Sequence, residues 1–217
     1  TALQRIDRDD FLWMDRFTIR NLELVYGHAE GNHTLLSVLD NTVSPMGARL
    51  LKRWIVFPLK DMRQINERLE LVEYFIRETD LRQQISHAVK QCGDIERLVS
   101  KIPLRKINPR EVAQLGRGLQ QIALLKQYCE NAANPYLQQL GGKLHPCPQI
   151  AERIARELME NPPAVTAKGG VINNGISAEL DSLREIAHSG KEYLTRLQAR
   201  EAENTGISSL KIGFNNV

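Results

Sequence analysis

What this sequence has little of narrows it first. Three cysteines, Cys92, Cys129 and Cys147, are odd in number and widely spaced, which argues against a disulfide framework and for a reducing, cytosolic setting. No apolar run approaches the ~20 residues a membrane-spanning helix requires, and the polar start TALQRIDRDD is unlike a signal peptide. An excess of one charge is missing too: 29 basic residues against 26 acidic leave a net +3, with no long run of like charge. That balance permits nucleic-acid contact without arguing for it, since Lys52-Arg53 and Arg105-Lys106 are only pairs. A phosphate-cradling Gly-x-x-x-x-Gly-Lys-Ser/Thr loop is absent. Its nearest approach, Gly141-Gly142-Lys143, has Leu144 in place of the magnesium-binding hydroxyl and Leu137 in place of the first glycine. His145 and Cys147 supply two metal ligands where four are usual, and no Ser, His and acid spacing marks a nucleophilic triad.

What is present is helix, repeatedly capped. A chain of 217 residues with 42% hydrophobic residues can bury the core of one large domain or two small ones. In TLLSVLDNTVSPMGARLLKRWIVFPL, Thr34 to Leu59, a short first turn places Leu35, Leu36, Val38 and Leu39 for burial on several sides. Ser44 then reads as an N-cap, Pro45 as the first helical residue and Pro58 as the stop, with Met46, Leu50, Leu51, Trp54 and Ile55 as an apolar stripe and Arg49, Lys52 and Arg53 off it. Asp61 caps a helix with Ile65, Leu69, Val72, Phe75 and Ile76 along one face. Thr79 starts another with Leu81, Ile85, Ala88 and Val89 inward, and Asp94 a short one after Gly93. Asn108-Pro109 opens a long helix carrying Val112, Leu115, Leu119, Ile122 and Cys129; Asn134-Pro135 and Pro146 to Pro148 punctuate two shorter ones. Leu12 to Asp15 and Asn21 to Val25 read as extended pieces, and 161–175 as an irregular crossing or small hairpin turning at Lys168-Gly169-Gly170. Ser177 caps the longest pattern, in which Leu180, Leu183, Ala187, Gly190, Leu194 and Leu197 step three, four, three, four, three as in a coiled-coil seam. Gly206 ends it, and Leu210, Ile212 and Phe214 alternate as the start of a strand. The expected fold is all-α: a multi-helix bundle with one long coiled-coil-like helix and short extended segments near the N-terminus, around 162–176 and at the C-terminal stub.

Three of these stretches resemble the MutS family, the ATPases that recognise mismatched DNA. The family pattern Leu-Asp-x-Thr-x-Thr-x-Met-Gly-x-Arg-x-Leu, then Trp, then Pro-Leu, is met by Leu39, Asp40, Thr42, Ser44, Met46, Gly47, Arg49, Leu51, Trp54, Pro58 and Leu59; only Ser44 departs, and it keeps the hydroxyl. An entry motif is met by Asp15, Thr18, Arg20, Asn21, Leu22, Glu23 and Leu24, of which Arg20 and Glu23 also read simply as a solvated pair near a turn. Glu179, Leu180, Asp181, Leu183 and Arg184 begin a lever-helix motif whose far end is Thr205-Gly206-Ile207 and SLKIGFN. Between about Gln91 and Ala164 the similarity is only that of helical filler.

The resemblance implies a core or lever domain over 1–205 and the truncated start of the clamp domain over 206–217, in a piece cut from a longer protein. It implies no catalysis and no cofactor in these residues, with ATP and Mg bound elsewhere in a DNA-dependent parent ATPase. The implied partners are double-stranded DNA, reached through the parent's clamp and mismatch domains, the other domains of the same chain, and a second copy in a homodimer; the implied location is cytoplasmic. None of Phe11, Phe17, Phe57, Phe75 or Phe214 is followed two later by Glu, so the family's Phe-x-Glu mismatch wedge is not expected here. Lys211 and Asn215 are candidates for DNA phosphate contact from the clamp strand, or plain strand residues facing water. Two other functions fit the helices: a free-standing module that binds partner helices through the Ser177 to Asn204 seam, and a nucleic-acid-binding helical piece of another repair or recombination protein.

Overall fold

The computed structural model describes residues 11–29, 31–207 and 209–211. The fold is all-α, and it divides into two units, one up to Val171 and one from Ile172. No helix among the described residues is long and apolar enough to cross a membrane.

The first unit starts extended, as expected. Phe11 bridges antiparallel to Leu59, the Leu12 amide donates to the Pro58 carbonyl at 2.8 Å, and the Phe57 ring lies between those of Phe11 and Trp13 at 6.3 and 6.1 Å. The next stretch departs from expectation. Arg16–Asn21 is a helix, α1, because the Asp15 carboxylate accepts from the Thr18 amide at 2.7 Å and so caps a first turn that apolar periodicity alone does not reveal. Of the expected extended piece from Asn21 to Val25, Asn21 consequently ends α1 and the rest is a turn.

Seven helices follow where local signals put them: α2, Leu35–Leu39; α3, Pro45–Val56; α4, Met62–Arg77; α5, Thr79–Cys92; α6, Ile95–Lys101; α7, Pro109–Glu130; and α8, Pro135–Gly142. Ser44, Asp61, Asp94, Asn108 and Asn134 each accept an orphan amide two or three residues on, and Pro45, Pro109 and Pro135 occupy the first turns, where a missing N–H costs nothing. The ninth, α9, Pro148–Glu157, begins at Cys147, which is exposed and in the left-handed region at φ +47°.

The spine of this unit is α7. Near its start Leu115 and Leu119 pack with Leu98 of α6 and Ala151 of α9; near its end Cys129 packs with Ala132 and Leu137, flanked by Leu71, Tyr74 and Phe75 of α4 and Leu81 and Ile85 of α5. Such close packing needs glycine at two points of α7 itself. A Cβ on Gly116 would lie 2.6 Å from Ile154, and one on Gly118 would lie 2.8 Å from the Cys92 carbonyl oxygen. Cys92 and Cys129 are buried, and desolvation pushes both thiols up.

Two faces differ from the periodicity. On α4 the core side is Leu71, Tyr74 and Phe75, with the Tyr74 hydroxyl accepting the Ala133 amide at 3.1 Å, while Leu69, Val72 and Ile76 are exposed. The stripe drawn through Leu69 is rotated because α5 and α8 approach α4 from its other side. Likewise Leu35, Val38 and Leu39 of α2 and Leu50 and Trp54 of α3 are substantially exposed, since α2 packs chiefly on α3. After α9 the chain crosses irregularly: the Met159 amide donates to the Val171 carbonyl at 3.0 Å, Thr166–Lys168 forms a 3₁₀ turn, and Gly169 and Gly170 take φ +69° and +65°.

The second unit is dominated by α10, Ala178–Thr205, capped by the Ser177 hydroxyl and closed by Gly206 in the left-handed region. At 28 residues it is roughly 40 Å long. Beyond it the Leu210 amide turns back to the Ile207 carbonyl, and Gln198 donates to the Leu210 carbonyl at 2.8 Å. Ile212, Phe214 and Asn215, and so the body of the expected strand, lie outside the described residues.

Candidate functional site

The entry and core motifs fold into one continuous scaffold from α1 to Leu59. Its pivot is Glu23, a non-glycine residue at φ +47° where α1 turns into the next segment. The strain of that conformation is offset by the bonds it makes possible. The Glu23 carboxylate accepts from the His28 amide at 2.8 Å and from Asn32 Nδ2 at 3.1 Å and sits 2.9 Å from His28 Nδ1, which pins His28 and Asn32. Its carbonyl accepts the Leu35 amide and that of Leu24 accepts the Leu36 amide, satisfying two orphan donors at the start of α2. Held chiefly by the His28 amide, then by the His28 ring and Asn32, the carboxyl is lowered from the ordinary 4.5 to about 2. Arg20 and Asn21 end α1, and Leu22 is its C-cap; the Glu23 amide donates to the Arg20 carbonyl at 3.0 Å, while its carboxylate takes its partners from His28 and Asn32 and not from the Arg20 side chain.

The core motif is a run of joints. Thr34 and Ser37 cap α2 reciprocally, Leu39 ends it, and Asp40 accepts the Thr42 amide at 3.1 Å and hydroxyl at 2.6 Å, turning the chain toward the Ser44 cap. Met46 and Gly47 lie in the first turn of α3, where a Gly47 Cβ would come 3.2 Å from the Ser44 hydroxyl that the Gly47 amide needs. Arg49 is the long-range member. Its guanidinium meets both oxygens of Asp94 at 3.0 and 2.7 Å and Glu96 at 3.0 and 2.6 Å, tying α3 to the start of α6 and lowering the Asp94 carboxyl. Trp54 carries the Arg68 guanidinium over its ring at 3.7 Å, and Pro58 and Leu59 hold the first extended segment.

In the second unit, Asp181 and Arg184 grip the approach to α10. Asp181 accepts the Gly175 amide at 2.7 Å, while Arg184 donates to Asp181 at 3.0 Å, to Asn174 Oδ1 at 2.8 Å and to the Ile172 carbonyl at 2.7 Å. At the far end the Thr205 hydroxyl donates to the Glu201 carbonyl, Gly206 caps, and Lys211 is exposed; Asn215 lies outside the described residues. Gly141-Gly142-Lys143 closes the C-terminal end of α8, where carbonyls face outward, and does not fit a phosphate. Among the described residues no group of three or more metal-ligating side chains converges.

A family model described as MutS domain III matches residues 17–206, beginning inside α1 and ending on the glycine that caps α10. The chain belongs to the MutS family. Over all 217 residues it is 52% identical to the DNA mismatch repair protein MutS of Phocaeicola vulgatus and 50% identical to that of Bacteroides fragilis, covering 25% of each. The corresponding protein of Porphyromonas gingivalis is 45% identical, with 24% of its length covered. The chain thus spans about a quarter of the length of the curated relatives it matches. Within MutS domain III as seen here, the motif residues are turns, caps and interhelix ties, and the partners of Glu23, Arg49, Trp54, Asp181 and Arg184 are ones the sequence did not disclose.

Proposed function

We propose that this domain III is the structural and allosteric core of a DNA mismatch-recognition ATPase, coupling a motor at one end to a DNA-embracing clamp at the other. The observation that carries the reading is α10: an uninterrupted helix of 28 residues, anchored at its base by Asp181 and Arg184, is stiff enough to transmit a displacement along its axis. In this reading residues 1–205 are the core and lever, 206–217 begin the clamp, and Lys211 and Asn215 position DNA phosphates without reading bases. ATP and Mg act in the parent's own ATPase domain, the parent works as a cytoplasmic homodimer on double-stranded DNA, and these residues contribute no catalytic group. Coupling of this kind is allostery: two sites bias one bistable element.

The test is Ala187→Pro in the full-length protein. Proline in a helix interior costs about 3 kcal/mol and breaks the rod. DNA-stimulated ATPase should fall while basal ATPase persists; unchanged stimulation, with the break verified by circular dichroism, would sink the lever role.

A second reading has its own support. Leu183, Ile186, Tyr193 and Leu194 of α10 are exposed, as a module that binds partner helices would require. Retained DNA stimulation in Ala187→Pro together with loss of a helical partner would favour that module.

A further inference from the structure

Beside the Glu23 pivot, α1, the turn after it and α3 enclose a groove of about 870 Å³ that the core role does not use. Its charge is one-sided among the described residues. Arg16, Arg20 and Lys52 line it, and among those residues no acidic side chain does and none of the three makes an ion pair. Its floor is aliphatic, built by Ile19, Val25 and Val56, and the rings of Phe17 and Tyr26 stand at its mouth, 71% and 61% exposed. Arg16 and Arg20 are four apart on α1 and so share a face, while Lys52 comes from α3 across the groove.

We propose that this groove is a docking site for an acidic peptide segment of a partner protein, one that seats an aliphatic or aromatic side chain on the floor and presents carboxylates to Arg16, Arg20 and Lys52. Charge complementarity selects the occupant. A planar guanidinium pairs with a carboxylate through two parallel bonds, and cations around an apolar slot of this size suit a short anchored segment. A nucleic-acid strand is less well matched, because Lys52 Nζ lies 5.3 Å over the Tyr26 ring and occupies the face on which a base would stack.

A fluorescein-labelled peptide rich in Asp and Glu around a central Leu-Phe pair, titrated with the full-length protein, tests this by anisotropy. The expected result is saturable micromolar binding that weakens about tenfold in Lys52→Ala and in Arg16→Ala, falls with added salt, and is lost when the Leu-Phe pair becomes Ser-Ser. Both substituted residues are surface side chains, so unchanged thermal melts are expected alongside. Absence of saturation, equal affinity for the variants, or equal affinity for the Ser-Ser peptide would overturn the site. So would displacement of the peptide by oligothymidine that itself depends on Arg16 and Lys52, since that result marks a nucleic-acid groove.

Discussion

The helices α7 and α10 carry nearly the same apolar spacing and meet opposite fates. Along α7 the stripe of Leu115, Leu119 and Cys129 is buried by helices of its own unit, and its glycines are pressed: Gly116 against Ile154 and Gly118 against the Cys92 carbonyl. Along α10 Leu183 and Leu194 stand exposed, and a Cβ on Gly190 would meet nothing within 4 Å. Periodicity specifies a face and leaves its partner open. A glycine says even less, since the same residue marks a close approach in one helix and an open position in the other.

Substitutions matched across the two helices sharpen the contrast. Leu115→Ala should destabilise the first unit by about 3 kcal/mol in chemical denaturation, and Leu194→Ala should change stability by less than about 0.5 kcal/mol. Equal losses would mean that α10 is covered in solution. Gly118→Ala should cost about 2 kcal/mol, because the added carbon collides with the Cys92 carbonyl, a backbone atom, and crowds the Ile95 side chain as well. The tie between α3 and α6 is partly exposed, so a double-mutant cycle on Arg49 and Asp94 should return a favourable but small coupling, below the loss in Gly118→Ala. Gly190→Ala should go the other way, raising the helicity and stability of α10 by about 0.5–1 kcal/mol. The smallest effect is a slope. Glu23, with its folded pKa near 2 against 4.5 ordinarily, contributes stability that is present above about pH 4.5 and lost as pH falls toward 2. Glu23→Gln should flatten that part of the stability profile; an unchanged slope would mean that the His28 and Asn32 bonds do not persist in solution.

Most helix boundaries were legible because their signals are local. A Ser, Asp or Asn accepting an amide two or three residues on can be read from four letters, and Ser44, Asp61, Asn108, Asn134 and Ser177 all behave so, with a proline following at Ser44, Asn108 and Asn134. The helix α1 escaped because its cap, Asp15, precedes only six residues with no apolar repeat. Arg49 read as a charge off the stripe because its partners lie 45 and 47 residues away. Glu23 read as half of a solvated pair because its three donors come from a loop that only a left-handed turn brings within reach. The family resemblance was thinnest between Gln91 and Ala164, yet that span supplies α6 to α9, around which the core of the first unit is packed. A core tolerates exchange among apolar residues of similar volume, whereas a cap, a positive-φ turn or a guanidinium clamp admits few alternatives, so motifs accumulate at joints and fade in the interior.

The burial of the cysteines gives the protein an unequal chemistry toward electrophiles and oxidants. Cys92 and Cys129 are shielded by close-packed helices, and their raised thiols hold little thiolate near neutrality; Cys147 faces water at the head of α9. A maleimide dye added to the native protein should therefore attach at Cys147 first. A fluorophore there reports on the helices of the first unit, and the two inner thiols would react only as the packing around α7 opens.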